Sequence, residues 1–468
     1  MSGGEAYDAV VLGAGPGGIA AATQVARRGG RACLVEKGPL GGVCLNVGCM
    51  PTKAMLAASD LCRRMRAGGA FGIEADGPRV DGRVFMRRVA GVVADLRQRT
   101  EAALKANRGI DVVRGVGRLV GAGTVAVETD DGARTLRGRT IVIATGSSPA
   151  RPDFLPWGSP RMMTTDEAVV AEDVPASVLV MGGGVIGCEF ATVYAELGIP
   201  TTLVEMLDGL LPQLDAEAGT LVADVLAERG VEVLTGRRVV RMAADHREVV
   251  AALDDGREVR ADCALIAVGR RPRLEGIGLA EAGVRVECGA IAVDHRCRTS
   301  VEGVYAVGDA AEPRQYAHLA DRMGRVAAEN IMGVECSDDR SVVPVGVYTH
   351  PEVASVGFSL AEAKERFGRV RVLRHSYAHS SMGVVCGETA GQLKVLADGD
   401  SGRIFGATWI GPHATDMIQE FALALRLGLT LRDLHGTIHA HPTFQEAASA
   451  VADAWAAQAD RKRPGRDA

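Results

Sequence analysis

At 468 residues and 47% apolar content, the chain is long enough for about three domains, each with its own core, and a single small module is excluded. A net charge of −5 provides no basic surface for nucleic acid or an anionic membrane, since both require clustered positive charge. The one basic cluster, Arg461, Lys462, Arg463 and Arg466, reads as a solvated tail. No run approaches the roughly 18 apolar residues of a membrane span.

The chain starts Met1-Ser2-Gly3-Gly4-Glu5 and then offers only a short apolar run, residues 9–12. A secretion signal needs a basic start and a longer apolar region. The expected location is the cytoplasm, where thiols stay reduced. In that setting a tightly spaced cysteine pair among ten scattered cysteines is catalytic or metal-binding rather than structural.

Residues 9–12 predict a strand that leads through Gly13-Ala14-Gly15-Pro16-Gly17-Gly18 into an Ala-rich helix ending near Arg28, then into a second strand closing on Glu36. The same order returns later. Residues 178–181 lead through Gly182-Gly183-Gly184-Val185-Ile186-Gly187 into a helix to Leu197 and a strand closing on Glu205. In both copies the acid lies 23 positions after the first glycine, from Gly13 to Glu36 and from Gly182 to Glu205. One GxGxxG is a weak signal, but two in the same register between strand and helix are specific. Gly13, Gly15 and Gly18, like Gly182, Gly184 and Gly187, permit a tight turn and close approach of backbone to a pyrophosphate at a helix N-terminus. Glu36 and Glu205 can accept hydrogen bonds from an adenosine ribose diol, so two dinucleotides are expected. Glu205 would repel a 2′-phosphate, and residues 201–211 contain no Arg or Lys, which favours NAD over NADP at the second site.

After the first repeat comes Gly41-Gly42-Val43-Cys44-Leu45-Asn46-Val47-Gly48-Cys49-Met50-Pro51-Thr52-Lys53. Cysteines five apart among glycines, followed by Pro51 and an Ala/Leu-rich run, predict a turn feeding a helix with proline near its first position. Cys49 then sits near a helix N-terminus, where the dipole lowers a thiol pKa. Such a pair suits electron exchange; a zinc half-site and two buried thiols are the other readings. No second pair with metal spacing exists, and no metal is expected.

Further glycine-terminated strands follow at residues 141–144 before Thr145-Gly146, 265–268 before Gly269-Arg270-Arg271-Pro272, and 304–307 before Gly308-Asp309. The last would place Asp309 at a strand end beside a ligand. Beyond about residue 343, strands at 348–357 and 392–396 with helices near 416–427 and 445–457 read as a separate α+β domain.

The segment from Gly41 to Lys53 resembles the signature of the flavoprotein disulfide reductases, GG-x-C-x-N-x-G-C-x-P-[ST]-K, in full, and the resemblance extends over nearly the whole chain. It implies an α/β protein with two Rossmann-like dinucleotide-binding domains plus a C-terminal α+β dimerisation domain. The expected bounds are 1–148 for the first part of the FAD-binding domain, 149–272 for the NAD-binding domain, 273–342 for a central part completing the FAD site, and 343–468 for the interface domain. FAD is then expected on Gly13 to Glu36, Thr145-Gly146 and Gly308-Asp309, and NAD on Gly182 to Glu205 with Gly269. Lys53 and Glu189 match the ion pair that lies beside the flavin ring in this family.

Within the family, Tyr348-Thr349-His350-Pro351-Glu352 and His439-Ala440-His441-Pro442-Thr443-Phe444-Gln445-Glu446 look most like the dihydrolipoamide dehydrogenase branch. The resemblance makes His441 the acid/base and Glu446 its orienting partner. It implies that a substrate thiolate attacks Cys44, that Cys49 lies next to the flavin, and that two subunits of a homodimer share each site. His439, His318 and His350 are expected to be structural, and the cysteines outside the pair to be core thiols. Phe444-Gln445 and Gly391-Gln392-Leu393-Lys394 depart from the usual pattern, and Phe444 is expected to narrow the disulfide pocket. Glutathione- or mycothiol-type reductases, mercuric reductase and a non-catalytic assembly subunit are the rival readings. Glu205 opposes the usual NADP dependence of the first, no cysteine follows Cys386 as the second would need, and the intact catalytic set opposes the third.

Overall fold

The computed structural model describes residues 7–74, 77–121 and 123–461. The Met1 to Glu5 segment, Lys462, Arg463, Arg466 and the side chain of Arg461 lie outside the described residues.

Two parallel sheets carry the two halves of the repeat. In the first, strand Tyr7–Leu12 lies between Ala32–Glu36 and the C-terminal half of Gly132–Ile143; Ile110–Arg114 and Val304–Ala306 flank these on either side. In the second, Val178–Met181 lies between Thr201–Val204 and Cys263–Ile266, with Glu232–Leu234 and Met162–Thr164 outside. Unbroken apolar runs such as the buried Ala9, Val10, Val11 and Leu12 suit strands covered on both faces. In each sheet the strand order reverses beside the central strand, and the glycine loop opens there into helix Pro16–Arg27 or Val185–Leu197. Such a switch point is where open α/β sheets bind ligands.

The glycines explain why the two loops are alike. Gly13 and Gly182 have φ of +106° and +113°, and a Cβ on either would collide with the carbonyl oxygen of Ala144 or Ala267. A Cβ on Gly18 or Gly187 would strike the carbonyl oxygen of Gly13 or Gly182, so these glycines let the helix close onto its own loop.

Each nucleotide unit also holds a three-stranded antiparallel insert: Val116–Gly121, Thr124–Thr129 and the N-terminal half of Gly132–Ile143 in one, Val239–Ala244, Val249–Leu253 and Glu258–Ala261 in the other. The C-terminal domain is a five-stranded antiparallel sheet in the order Val345–Val347, Val353–Gly357, Ile404–Ile410, Gln392–Ala397, Arg371–Ser376. Helices Ala414–Leu427 and Glu446–Arg461 flank it, and Tyr377, Trp409, Phe421 and Trp455 fill its core. Residues 348–357, expected as one strand, instead turn at His350-Pro351 before Val353–Gly357 begins. Pro351 has no N–H to give to a ladder. Buried Lys394 reaches Asp215 and Glu217, each at 2.8 Å, and fastens this domain to the second nucleotide unit.

Candidate active site

Cys44 rides on the short helix Gly42–Asn46, and Cys49 is the first residue of helix Cys49–Ala67, with Pro51 in its first turn. Asn46 shapes the loop between them. Its buried amide donates to the carbonyls of Leu40 at 3.0 Å and Gly42 at 2.8 Å, and its Oδ1 accepts from Arg97 Nε at 2.9 Å. Both cysteines are free thiols. The Cys44 thiol donates to the Cys49 sulfur, and that hydrogen bond, reinforced by the Lys53 charge, holds Cys49 below the ordinary thiol range in spite of burial. The same bond and its own burial push Cys44 up. The pair is therefore polarised, with Cys49 the more readily ionised sulfur and Cys44 the one that holds its proton more tightly.

Lys53, one turn into that helix, meets Glu189 Oε1 and Oε2 at 2.8 and 2.7 Å. Its ammonium lies 4.5 Å from the centre of the Tyr348 ring, and Glu189 also accepts from Tyr348 N at 3.0 Å. Burial opposes the Lys53 charge, but Glu189 outweighs it and holds the ammonium above its usual value.

These groups open onto one cavity of about 1970 Å³ that runs from Gly13, Gly15 and Glu36 past both cysteines to Gly182, Gly184 and Glu205. Its two ends are built alike. Glu36 accepts from Ala14 N at 2.7 Å and Gly38 N at 2.8 Å; Glu205 accepts from Gly183 N at 2.6 Å and Leu207 N at 2.8 Å. Each carboxylate oxygen keeps a lone pair for a ribose hydroxyl. A Cβ on Gly15 or Gly184 would meet no protein atom closer than 3.9 or 3.8 Å, so glycine at these two positions serves a ligand rather than the fold. The residues present thus fit two dinucleotides.

Thr145, Gly146, Gly269, Gly308 and Asp309 also line the cavity. Asp309 accepts from Ser147 Oγ at 2.6 Å, and Ser147 Oγ accepts from Arg270 Nε at 3.0 Å. Gly18 and Gly187, expected among the cofactor residues, are not among the lining residues; their part is the close packing described above.

His441 Nδ1 lies 2.9 Å from Glu446 Oε1, and Thr443 N donates to Glu446 Oε2 at 2.9 Å. The Thr443 N–H first and His441 second hold the Glu446 carboxyl below the usual range. The imidazole is nevertheless 71% exposed, and neither residue lines the cavity that holds the cysteines. Within the single chain, His441 and the cysteine pair do not share a cavity.

Three expectations are corrected. Phe444 does not narrow a substrate pocket: it is 8% exposed, packed in the C-terminal core and stacked on Tyr377 at 5.1 Å. His318 is not merely structural, since it lines the cavity, stacked on Tyr316 at 5.5 Å, and burial lowers its pKa. Of the remaining cysteines, Cys33, Cys188, Cys263 and Cys297 are buried, but Cys62, Cys336 and Cys386 are only partly so and Cys288 is exposed. His350, on Glu196 at 2.9 Å, and His439, between Glu420 at 3.1 Å and Ser449 at 2.6 Å, are held as structural residues are. Arg97, Tyr316 and Arg238 are lining residues that the motifs did not single out.

Residues 7–325 match the family model for pyridine nucleotide-disulphide oxidoreductase, and residues 343–452 match the dimerisation domain of the same family. The chain belongs to the pyridine nucleotide-disulphide oxidoreductases. It is a homodimeric flavoprotein that uses FAD and NAD(H) for dithiol/disulfide exchange. Its relatives include the dihydrolipoyl dehydrogenase of Geobacillus stearothermophilus, 37% identical over 453 residues and 95% of each chain. That of Thermus scotoductus is 38% identical over 459 residues, 97% of this chain and 98% of the relative. Among solved structures, LpdA from Mycobacterium tuberculosis matches with a TM-score of 0.89 at 26% identity, over 95% of this chain and 99% of that one. The flavoprotein disulfide reductase RclA of Escherichia coli matches with a TM-score of 0.86 at 26% identity, over 96% and 99%.

Proposed function

We propose that the enzyme oxidises a dihydrolipoyl group, free or carried on a lipoyl protein, and reduces NAD, with Cys44 and Cys49 as the redox-active pair. The observation that carries this reading is the polarised dithiol itself, set between two dinucleotide loops and beside the Lys53–Glu189 ion pair. The substrate follows from the dihydrolipoyl dehydrogenases that align over nearly the whole chain.

The residues divide the work by their environments. Cys44 is the sulfur attacked when the pair is oxidised, and the mixed disulfide formed there breaks when the second substrate sulfur attacks it. The disulfide product leaves, and Cys44 and Cys49 are left reduced. Bound FAD supplies the two-electron relay from this pair to NAD. Lys53 favours the Cys49 thiolate. A carboxylate can only accept, so Glu446 requires the proton on His441 Nδ1 and leaves Nε2 as the base for the substrate thiol. Because one chain keeps this base away from its own cysteines, we place His441 of the partner subunit over Cys44, with the C-terminal domain as the interface. We place the enzyme in the cytoplasm, whose reducing poise keeps thiols outside the redox-active pair free.

NADH formation from NAD and dihydrolipoamide by the FAD-loaded dimer tests this, with NADPH-driven reduction of glutathione disulfide run alongside. Turnover of the first kind that disappears in Cys44→Ser is the expected result. Flavin reduced by NADH without any oxidation of dihydrolipoamide would rule that substrate out.

A further inference from the structure

The coenzyme end of the cavity holds a charge that the sequence around Glu205 does not reveal. The turn after strand Glu232–Leu234 runs back along the Glu205 segment: Gly236 N donates to Leu207 O at 2.8 Å and Arg237 N to Glu205 O at 3.0 Å. This brings Arg237 and Arg238 to the cavity wall beside Glu205 and Met206.

The two arginines are not equivalent. Arg237 is ion-paired, with Nε 2.8 Å from Asp255 Oδ2 but making no hydrogen bond, and another guanidinium nitrogen donates to Gly236 O at 2.7 Å. Arg238 is exposed and has no ion-pair partner among the described residues. Among the nearby acids, Asp254, whose N–H donates to Arg238 O at 2.9 Å, is exposed to solvent. Asp255 is shared between Arg237 and Arg257, each at 2.8 Å. Glu205 is buried and already receives two backbone N–H groups, which offset much of its charge toward an incoming anion. Asp208, beside Gly236, is exposed to solvent and screened.

We propose that Arg238 binds the 2′-phosphate of NADP(H), so that this enzyme accepts NADP(H) as well as NAD(H) at the same site. The inference rests on the second glycine loop being the coenzyme site. A guanidinium meets phosphate with two parallel hydrogen bonds, and a planar fork at an open rim needs no rearrangement to do so. NAD(H) remains preferred, because a free 2′-hydroxyl can donate to Glu205 and a phosphate cannot. The reaction balances as it does with NAD: dithiol and NADP⁺ give disulfide, NADPH and one proton.

The test is titration calorimetry of the FAD-loaded dimer with adenosine 2′,5′-bisphosphate and with 5′-AMP, for the wild type, Arg238→Ala and Arg238→Lys. The wild type should bind the bisphosphate. The ratio of bisphosphate to AMP affinity should fall at least about tenfold in Arg238→Ala, since two charge-assisted hydrogen bonds are lost at a solvent-exposed rim, and recover partly in Arg238→Lys. Salt should weaken bisphosphate binding more in the wild type than in Arg238→Ala. In steady state, kcat/KM for NADP should fall more than kcat/KM for NAD. Absence of bisphosphate binding in the wild type, or equal loss for both nucleotides as stacking on adenine would give, overturns the proposal. A wild type that binds neither nucleotide and fails to turn over NAD would instead sink the site assignment on which it rests.

Discussion

Replacing Lys53 by methionine removes the cation from Glu189, whose side chain is only 3% exposed. The carboxylate would keep its bond from Tyr348 N at 3.0 Å but no counter-charge. Breaking a buried pair from one side costs about 3 to 5 kcal/mol, and because Lys53 is 29% exposed onto the cavity we expect the lower end, about 3 kcal/mol. Glu189→Gln leaves a lysine that water can reach, and should cost about 1 to 2 kcal/mol. In the double variant no charge is stranded, so a double-mutant cycle by guanidinium unfolding should show a coupling of at least about 1.5 kcal/mol. A second readout distinguishes the two partners. Lys53 lowers the Cys49 pKa and Glu189 raises it, so the pH profile for alkylation of the reduced pair should move up in Lys53→Met and down in Glu189→Gln. Additive stability losses, or alkylation profiles that shift in the same direction, would refute the reasoning.

Other perturbations follow from the same contacts. Glu217 is held at about 2 by its bond from Arg374 and by Lys394, below the ordinary carboxyl value of 4.5; its contribution is complete above 4.5 and is lost as pH falls toward about 2, so urea midpoints should decline with acid less steeply in Glu217→Gln than in the wild type. Phe444→Ala empties a packed position against Tyr377 and should cost about 3 to 4 kcal/mol in unfolding, while the KM for the dithiol stays within about twofold. Glu420 anchors both ends of the His441 loop, through His439 Nε2 at 3.1 Å and through the Gln445 amide. Glu420→Ala should lower kcat about tenfold, widen the pH profile of the base and leave the KM for NAD unmoved.

The readable parts of the molecule are those where local geometry permits few residue types. Gly13 and Gly182 stand where a Cβ would collide with the neighbouring strand, and the repeat extends to the same pair of backbone bonds at Glu36 and Glu205. The Cys44–Cys49 segment was legible for a similar reason, since Asn46 holds the loop by bonds to its own neighbours. The antiparallel inserts were not, because their short strands, such as Glu258–Ala261, alternate over too few residues to stand out. Arg238 was missed because strand order, not proximity in sequence, carries it to Glu205. Phe444 misled for the opposite reason: only two residues separate it from His441, yet one side chain points into the core and the other into solvent. His441 and Glu446 do not line the cavity that holds the cysteines in the single chain, so joining them into one site rests on the proposed assembly.

Mixing two inactive variants tests the shared site most directly. FAD-loaded Cys44→Ser and His441→Ala homodimers are dissociated, mixed in equal amounts and reassembled, and dihydrolipoamide-dependent NADH formation is measured. If the pair in one chain works with the base of the other, half the dimers carry one intact site and activity should return to about a quarter of the wild type. Mixed dimers that form, retain FAD and stay inactive would show that each chain completes its own site, and would contradict the account.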